Sequence, residues 1–319
     1  MTASIGVVVI GRNEGERLRR CLDSLKDNVQ HIVYVDSGST DDSLDVARQA
    51  GAIVHELDMS RPFNPARARG EGFDRLMAGP KPTYVQFVDG DCEVQPGWVP
   101  TAAAYLEAHS DVGAVCGRRR ERFPDATIWN KLIDLEWDTP PGEIKACGGD
   151  SLTRADAVAA VGGFDPGVVA GEEAEMCVRL RQAGWRIWRL DEEMTLHDAA
   201  MTRFGQWWKR TRRSGHGYAE GVAIHGAPPE RHKVSEMWRA VVWGLAIPAA
   251  ALLGGLLISP WAFLILLAWP AQILRLIARG ELPLRAIFMT IGKMPEATGV
   301  LEYWLKRLFR RELSMINYK

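Results

Sequence analysis

Residues 240–274 run for 35 positions without a single Asp, Glu, Lys, Arg or His. As one helix the stretch would extend roughly 52 Å at ~1.5 Å per residue, well beyond a bilayer core of about 30 Å. Ser259-Pro260 near its middle can end a helix, so the run predicts a hairpin, residues 238–258 down and 261–277 back. The alternative is a buried helical hairpin of a soluble domain, although soluble helices usually keep a polar stripe. Trp238, Trp243, Trp261 and Trp269 suit the two interfaces, and Pro248 and Pro270 predict kinked or shortened spans. Arg231, Lys233 and Arg239 on one side, with Arg275, Arg279 and Arg285 on the other, place both ends on the cytoplasmic face by the positive-inside rule.

Charge divides the chain at the same place. Residues 231–319 hold twelve Lys and Arg against five Asp and Glu, which leaves 27 against 35 for residues 1–230, so the overall −1 is a cancellation. An acidic body with a basic, apolar tail argues against nucleic-acid binding and favours a membrane surface as partner. The five cysteines are scattered without Cys-x-x-Cys spacing, which predicts free thiols rather than disulfides or a zinc site. The apolar run 5–10 has no basic segment before it and is too short for a signal peptide, so it reads as a buried strand.

From that strand onward, apolar runs at 5–10, 32–35 and 52–56 alternate with helical patterns at 14–25 and 41–50. This β-α-β-α-β order predicts an α/β fold on a parallel sheet, with further strands at 84–88 and 112–116. In such sheets ligands sit at the carboxyl ends of the strands, where polar clusters follow Ile10, Val35 and Val88. The expected organisation is a catalytic domain over 1–230, a transmembrane hairpin over 231–279 and a basic amphipathic tail over 280–319. In that tail Leu301, Trp304, Leu305 and Leu308 share a helical face beside Lys306, Arg307, Arg310 and Arg311, which suits either the headgroup plane or packing on the catalytic domain.

Four clusters carry chemistry. Asp36, at a strand tip before Ser37-Gly38-Ser39-Thr40-Asp41, can accept from a nucleobase or ribose, while Thr40 and Asp41 read as helix caps. Asp89-Gly90-Asp91 puts two carboxylates directly after a strand, where a divalent cation is the economical compensation and would keep positions open for phosphate oxygens. Gly171-Glu172-Glu173-Ala174-Glu175 opens a helix; one acid could serve as general base, and others could simply complement the helix dipole. His197 is a candidate ligand or a structural histidine.

The succession Gly11-Arg12-Asn13-Glu14, Val35-Asp36-Ser37-Gly38-Ser39, Ala68-Arg69-Gly70, Asp89-Gly90-Asp91, Gly162-Gly163-Phe164-Asp165 and Gly171-Glu172-Glu173 resembles glycosyltransferase family 2, the inverting enzymes of the GT-A fold. The resemblance implies that Arg12, Asn13 and Glu14 line the nucleotide pocket, that Asp36 recognises the base, and that Arg69 lies near the nucleotide. It implies that Asp91 holds Mg²⁺ or Mn²⁺, that Asp89 reaches the ribose or the metal, that Asp150 in Gly148-Gly149-Asp150 lines the sugar and acceptor pocket, and that His197, as in some members, completes the metal or diphosphate site. The family's catalytic base is usually the Asp of a Glu-Asp pair; here Glu173 stands at that position and is preferred to Glu172. Gly70 departs from the family's usual Asn.

The expected function is therefore transfer of a sugar from a nucleotide diphosphate sugar to a lipid-linked (polyprenyl) acceptor in cell-surface polysaccharide or glycolipid synthesis, at the cytoplasmic face of the bacterial inner membrane. The segment 203–213, five basic residues among aromatics, suits either the phosphates of such an acceptor or a solvated helix face. The alternatives are a polyprenyl-phosphate sugar synthase, a non-catalytic nucleotide-sugar-binding membrane scaffold, and a nucleotidyltransferase, which would release pyrophosphate.

Overall fold

A computed structural model describes residues 3–26 and 28–309. Its contacts divide the chain into two compact units, Met1–Ala200 and Met201–Lys319.

In the first unit, residues 5–10 of strand β1 (Ile5–Gly11) are all buried, as a strand covered on both faces must be. β1 pairs in parallel with β2 (His31–Asp36) and β4 (Tyr84–Asp89), and β3 (Ile53–Glu56) runs parallel beyond β2. The crossovers are α1 (Glu16–Leu25), α2 (Ser43–Gln49) and α3 (Pro65–Ala78). Leu18, Cys21, Leu22 and Leu25 form the buried stripe of α1. Asn64 caps α3 by accepting from the Arg67 amide at 2.8 Å, and Pro65 follows at the first helical position, where no N–H is needed.

Beyond β4 come β5 (Cys92–Val94), α4 (Trp98–Ala108), β6 (Val112–Glu121), α5 (Ile128–Trp137), β7 (Gly142–Ile144), β8 (Ser151–Arg154), α6 (Ala155–Ala160), α7 (Glu172–Gln182) and β9 (Arg186–His197). The sheet order is β3-β2-β1-β4-β8-β6-β9-β5, with β7 on β9. The parallel arrangement expected from the sequence holds for β1 to β4 and for β6 with β9. β8 is antiparallel to β4 and β6, and β5 and β7 are antiparallel to β9. These three short strands enter without a βαβ crossover, the unit that enforces parallel pairing. All five cysteines are buried thiols.

The second unit begins at Met201, so α8 (Phe204–His225) groups with the C-terminal helices and not with the residues before it, as the expected 1–230 domain would have it. The reason is packing. α8 lies so close to the helix Lys293–Leu308 that a Cβ on Gly215 would come within 1.9 Å of the Glu296 carbonyl oxygen, and one on Gly299 within 2.0 Å of that of Arg212. Ala297, Val300 and Tyr303 of Lys293–Leu308 are buried, while Leu301, Trp304, Leu305 and Leu308 are exposed. Arg310 and Arg311 of the expected amphipathic face lie outside the described residues.

Two helices, Val234–Leu257 and Pro260–Ala278, are long and apolar enough to cross a membrane. The first widens into a π turn at Val242–Ala246 just before Pro248, and the second opens with tighter turns over Pro260–Leu267. Leu256, Leu257, Ile258 and Trp261 are 68, 78, 88 and 78% exposed, so the tip of the hairpin is not packed into a core among the described residues.

Candidate active site

The register of the parallel strands sets Gly11 opposite Asp36 and Ile10 opposite Asp89, so the ends of β1, β2 and β4 share one edge of the sheet. Asp36 is 2% exposed, and its carboxylate accepts from the amides of Gly38 and Ser39 at 2.9 and 2.8 Å, from the Tyr34 hydroxyl at 3.1 Å and from the Ser39 hydroxyl. Its immediate role is to shape the turn. Asn13 sits at φ 55°, a left-handed conformation that asparagine tolerates, and its side-chain oxygen accepts from the Thr40 amide at 2.7 Å. The loops after β1 and β2 are thereby stitched together. Arg12 is exposed with its guanidinium 5.1 Å from the Phe63 ring, and Glu14 pairs with Arg17 at 2.8 Å. Asp42 occupies the N-cap position of α2 without a side-chain cap hydrogen bond, and the Asp41 side chain accepts from the first helical amide, that of Ser43, at 3.1 Å.

Arg69, projecting from α3 and 2% exposed, joins the acids of two clusters. Its guanidinium reaches Asp89 at 2.6 Å, Glu172 at 2.6 Å and Glu173 at 3.4 Å. Burial disfavours its charge, but the carboxylates of Asp89, Glu173 and Glu172 outweigh that and hold it protonated. The two adjacent glutamates differ. Glu172 has a 3% exposed side chain locked to Arg69, whereas the Glu173 side chain is 21% exposed and less closely held. Burial, then the neighbouring Glu172 charge, raise Glu173 to about 7, with Arg69 pulling the other way. A carboxylate poised there is suited to general-base work near neutral pH. Gly149 leaves room for it: a Cβ at that position would come within 2.5 Å of Arg69 Nη2, 3.0 Å of Asp89 Oδ2 and 3.1 Å of Glu173 Oε1.

The second grouping forms through strand pairing. β5 sets Cys92 opposite His197 on β9, bringing His197 Nε2 to 3.4 Å from Asp91 Oδ2, with Nδ1 3.8 Å from Glu121 Oε2. Asp91, Cys92 and His197 offer ligand atoms within 4.8 Å of one another, as do Asp89, Cys92 and Asp150. Burial and the neighbouring acids push the Cys92 thiol well up, so it stays protonated. A carboxylate and an imidazole nitrogen remain, facing each other at 3.4 Å, and that donor set fits a divalent cation such as Mn²⁺. Asp89 differs from its partner in the motif, being engaged by Arg69 and, at 3.5 Å, by Arg119.

Asp150 is fully buried. It accepts from the Asp89 amide at 3.2 Å, from the Thr195 hydroxyl at 2.7 Å and from Arg119, whose Nη2 lies at 2.7 Å. Its carboxylate thus orients Asp89 and Arg119 from behind. Sequence reasoning missed Arg119. The available signal was the run Arg118-Arg119-Arg120 in a strand, where alternate residues face opposite ways. Arg118 pairs with Asp138 and Arg120 with Asp134 on one face, while Arg119 turns to Asp89 and Asp150 with its guanidinium 5.3 Å from the Trp137 ring.

A mixed sheet with acids gathered at the strand ends, one pair fit for a cation and another acid poised as a base, has the architecture of the GT-A fold. Residues 6–156 match the family described as Glycosyl transferase family 2, and the chain carries a glycosyltransferase family 2 domain. Among curated relatives, it is 25% identical over 248 residues to succinoglycan biosynthesis protein ExoA of Rhizobium meliloti, covering 72% of this chain and 73% of that one. It is 32% identical over 92 residues to the TPR repeat-containing protein Synpcc7942_0270 of Synechococcus elongatus, covering 29% of this chain and 21% of the relative. Among solved structures, the mannosyltransferase PcManGT from Pyrobaculum calidifontis, in complex with GDP-Man and Mn²⁺, shares the fold with a TM-score of 0.58 at 18% identity, over 98% of this chain and 89% of that one. S. aureus TarS gives 0.52 at 15%, over 94% and 54%.

Proposed function

We propose that the protein transfers a sugar, with inversion, from a nucleotide diphosphate sugar to a lipid-linked acceptor in cell-surface polysaccharide synthesis, working at the cytoplasmic face of a bacterial inner membrane. The observation that carries the chemistry is the convergence of Glu173 and Asp89 on Arg69, at 3.4 and 2.6 Å, from the ends of separate elements. Glu173 takes the proton from the acceptor hydroxyl as that oxygen attacks the anomeric carbon. Arg69, fixed by Glu172, holds Asp89 on one terminal nitrogen and Glu173 on the other, so the assigned base sits beside the metal-binding motif. Asp91 and His197 would hold a divalent cation, Mg²⁺ or Mn²⁺, which neutralises the diphosphate and improves it as a leaving group. Arg12, Asn13, Glu14 and Asp36 are assigned to the nucleotide. ExoA, named for succinoglycan biosynthesis, supports a polysaccharide product, and the two exposed apolar helices support a lipid-borne acceptor.

Glu173→Gln tests the assignment. Transfer should fall by about 10²–10⁴-fold while metal-dependent thermal stabilisation by the nucleotide sugar persists. Undiminished transfer would remove Glu173 as base and favour attack by an already ionised lipid phosphate.

A further inference from the structure

Three of the five buried thiols stand together. The Cys147 thiol has those of Cys116 on β6 and Cys177 on α7 as its hydrogen-bond partners. The chain just before Cys147 is also fastened to α7, because Arg181 Nη1 donates both to the Lys145 carbonyl and, at 3.2 Å, to the Cys177 carbonyl. We propose that Cys147 and Cys177 form a modification site, a thiol pair that a hydroperoxide converts reversibly to a disulfide; its effect on catalysis rests on the transferase reading above.

Cys177 is the attacking sulfur. The hydrogen bond from the Cys147 thiol, opposed by burial and by the Glu173 charge and aided by the Cys147 amide and the Arg181 guanidinium, holds it below the usual thiol range. Access comes from a cavity of about 160 Å³ whose wall includes Cys116 and both chain neighbours of Cys147, Ala146 and Gly148. With water occupying ~30 Å³, that space admits a small hydroperoxide. The Cys177 thiolate breaks the O–O bond and becomes a sulfenic acid, while the other oxygen leaves and takes up the proton that Cys177 had released. The Cys147 sulfur then attacks that of Cys177; the S–S bond forms, the S–O bond breaks, and the departing hydroxide leaves as water with the Cys147 proton. Two thiols are oxidised and one hydroperoxide is reduced. The bridge acts on the candidate site because Cys147 lies two residues before Gly149, and Cys177 one turn beyond Glu173 on α7. These segments meet at Arg69, where a Cβ on Gly149 would already come within 2.5 Å of Arg69 Nη2 and 3.1 Å of Glu173 Oε1. A disulfide fixes its sulfurs at about 2.05 Å, closer than any hydrogen bond, and so draws the two segments together where no space remains.

The test is treatment of the reduced full chain in detergent with hydrogen peroxide, followed by tryptic mapping. Cleavage after Lys145, Arg154 and Arg179 puts Cys147 in peptide 146–154 and Cys177 in peptide 155–179. The two peptides should appear cross-linked, lighter by the thiol hydrogens, and should separate with dithiothreitol. Metal-dependent nucleoside diphosphate release from UDP-glucose or GDP-mannose should fall on oxidation by on the order of 10²-fold and recover on reduction. Cys177→Ser should resist this loss, as should Cys147→Ala if the serine variant does not fold, whereas Cys116→Ser should still cross-link. The proposal is overturned if no cross-link forms, if Cys147 pairs with Cys116 instead, or if the oxidised protein works at the reduced rate. Failure of the transferase reading registers separately, as absence of nucleoside diphosphate release by the reduced protein; the peptide map still decides the thiol pair.

Discussion

The unit Met1–Ala200 buries charge, while the unit Met201–Lys319 exposes apolar surface. Arg69, Asp91, Asp150 and Glu172 are each at most 5% exposed, yet each has an opposite charge, a protonatable nitrogen or hydrogen-bond donors within reach. Leu256, Leu257, Ile258 and Trp261 have no such internal compensation. A buried charge can be satisfied by the chain itself, whereas an apolar helix face this large marks a contact with something outside the unit. The first unit therefore gathers a candidate site, and the second carries two helices long and apolar enough to cross a membrane.

That contrast can be broken. Arg69→Ala should cost the most stability, about 3–5 kcal/mol, because Glu172 is left buried without its cation; calorimetric unfolding measures it, and a loss within ~0.5 kcal/mol would show that the pair is dispensable. Leu256→Arg should disfavour insertion by up to ~3 kcal/mol, read as a shift from the membrane to the soluble fraction on fractionation. If that helix met water, the same change would be tolerated. Gly149→Ala should cost about 1–3 kcal/mol of stability by crowding Arg69, Asp89 and Glu173, with a disproportionate fall in kcat. The smallest effect is on pH dependence. Since Glu173 must be ionised to accept a proton, kcat/KM should drop tenfold per unit below about pH 7. Its folded value lies above the unfolded 4.5, so the native state holds the extra proton between the two; stability from this group is present below 4.5 and lost as pH rises through about 7. A flat acid limb would place the base elsewhere.

Local patterns carried much of this. The buried run at 5–10, the leucine stripe of α1 and the uncharged stretch at 240–274 are properties of consecutive residues, and periodicity or length alone reads them. The motif order was legible too, and it singled out Asp36, Asp89, Asp91 and Glu173 as candidates, whose roles stand as the proposal above. Sequence did not reveal that Asp89 and Asp91 would part company, the first to arginines and the second to a histidine. Nor did it reveal that Asp150 would turn inward to hold Arg119.

The amino-acid order by itself determined the βαβ core, the apolar hairpin and the inventory of acids, because each depends on residues within a few turns of one another. Only the tertiary structure decided which acid meets which cation. Cys92 faces His197 through antiparallel pairing across more than a hundred residues, and Arg69 reaches Glu172 from another helix. Such contacts depend on strand order and helix placement, and these come from packing the whole unit.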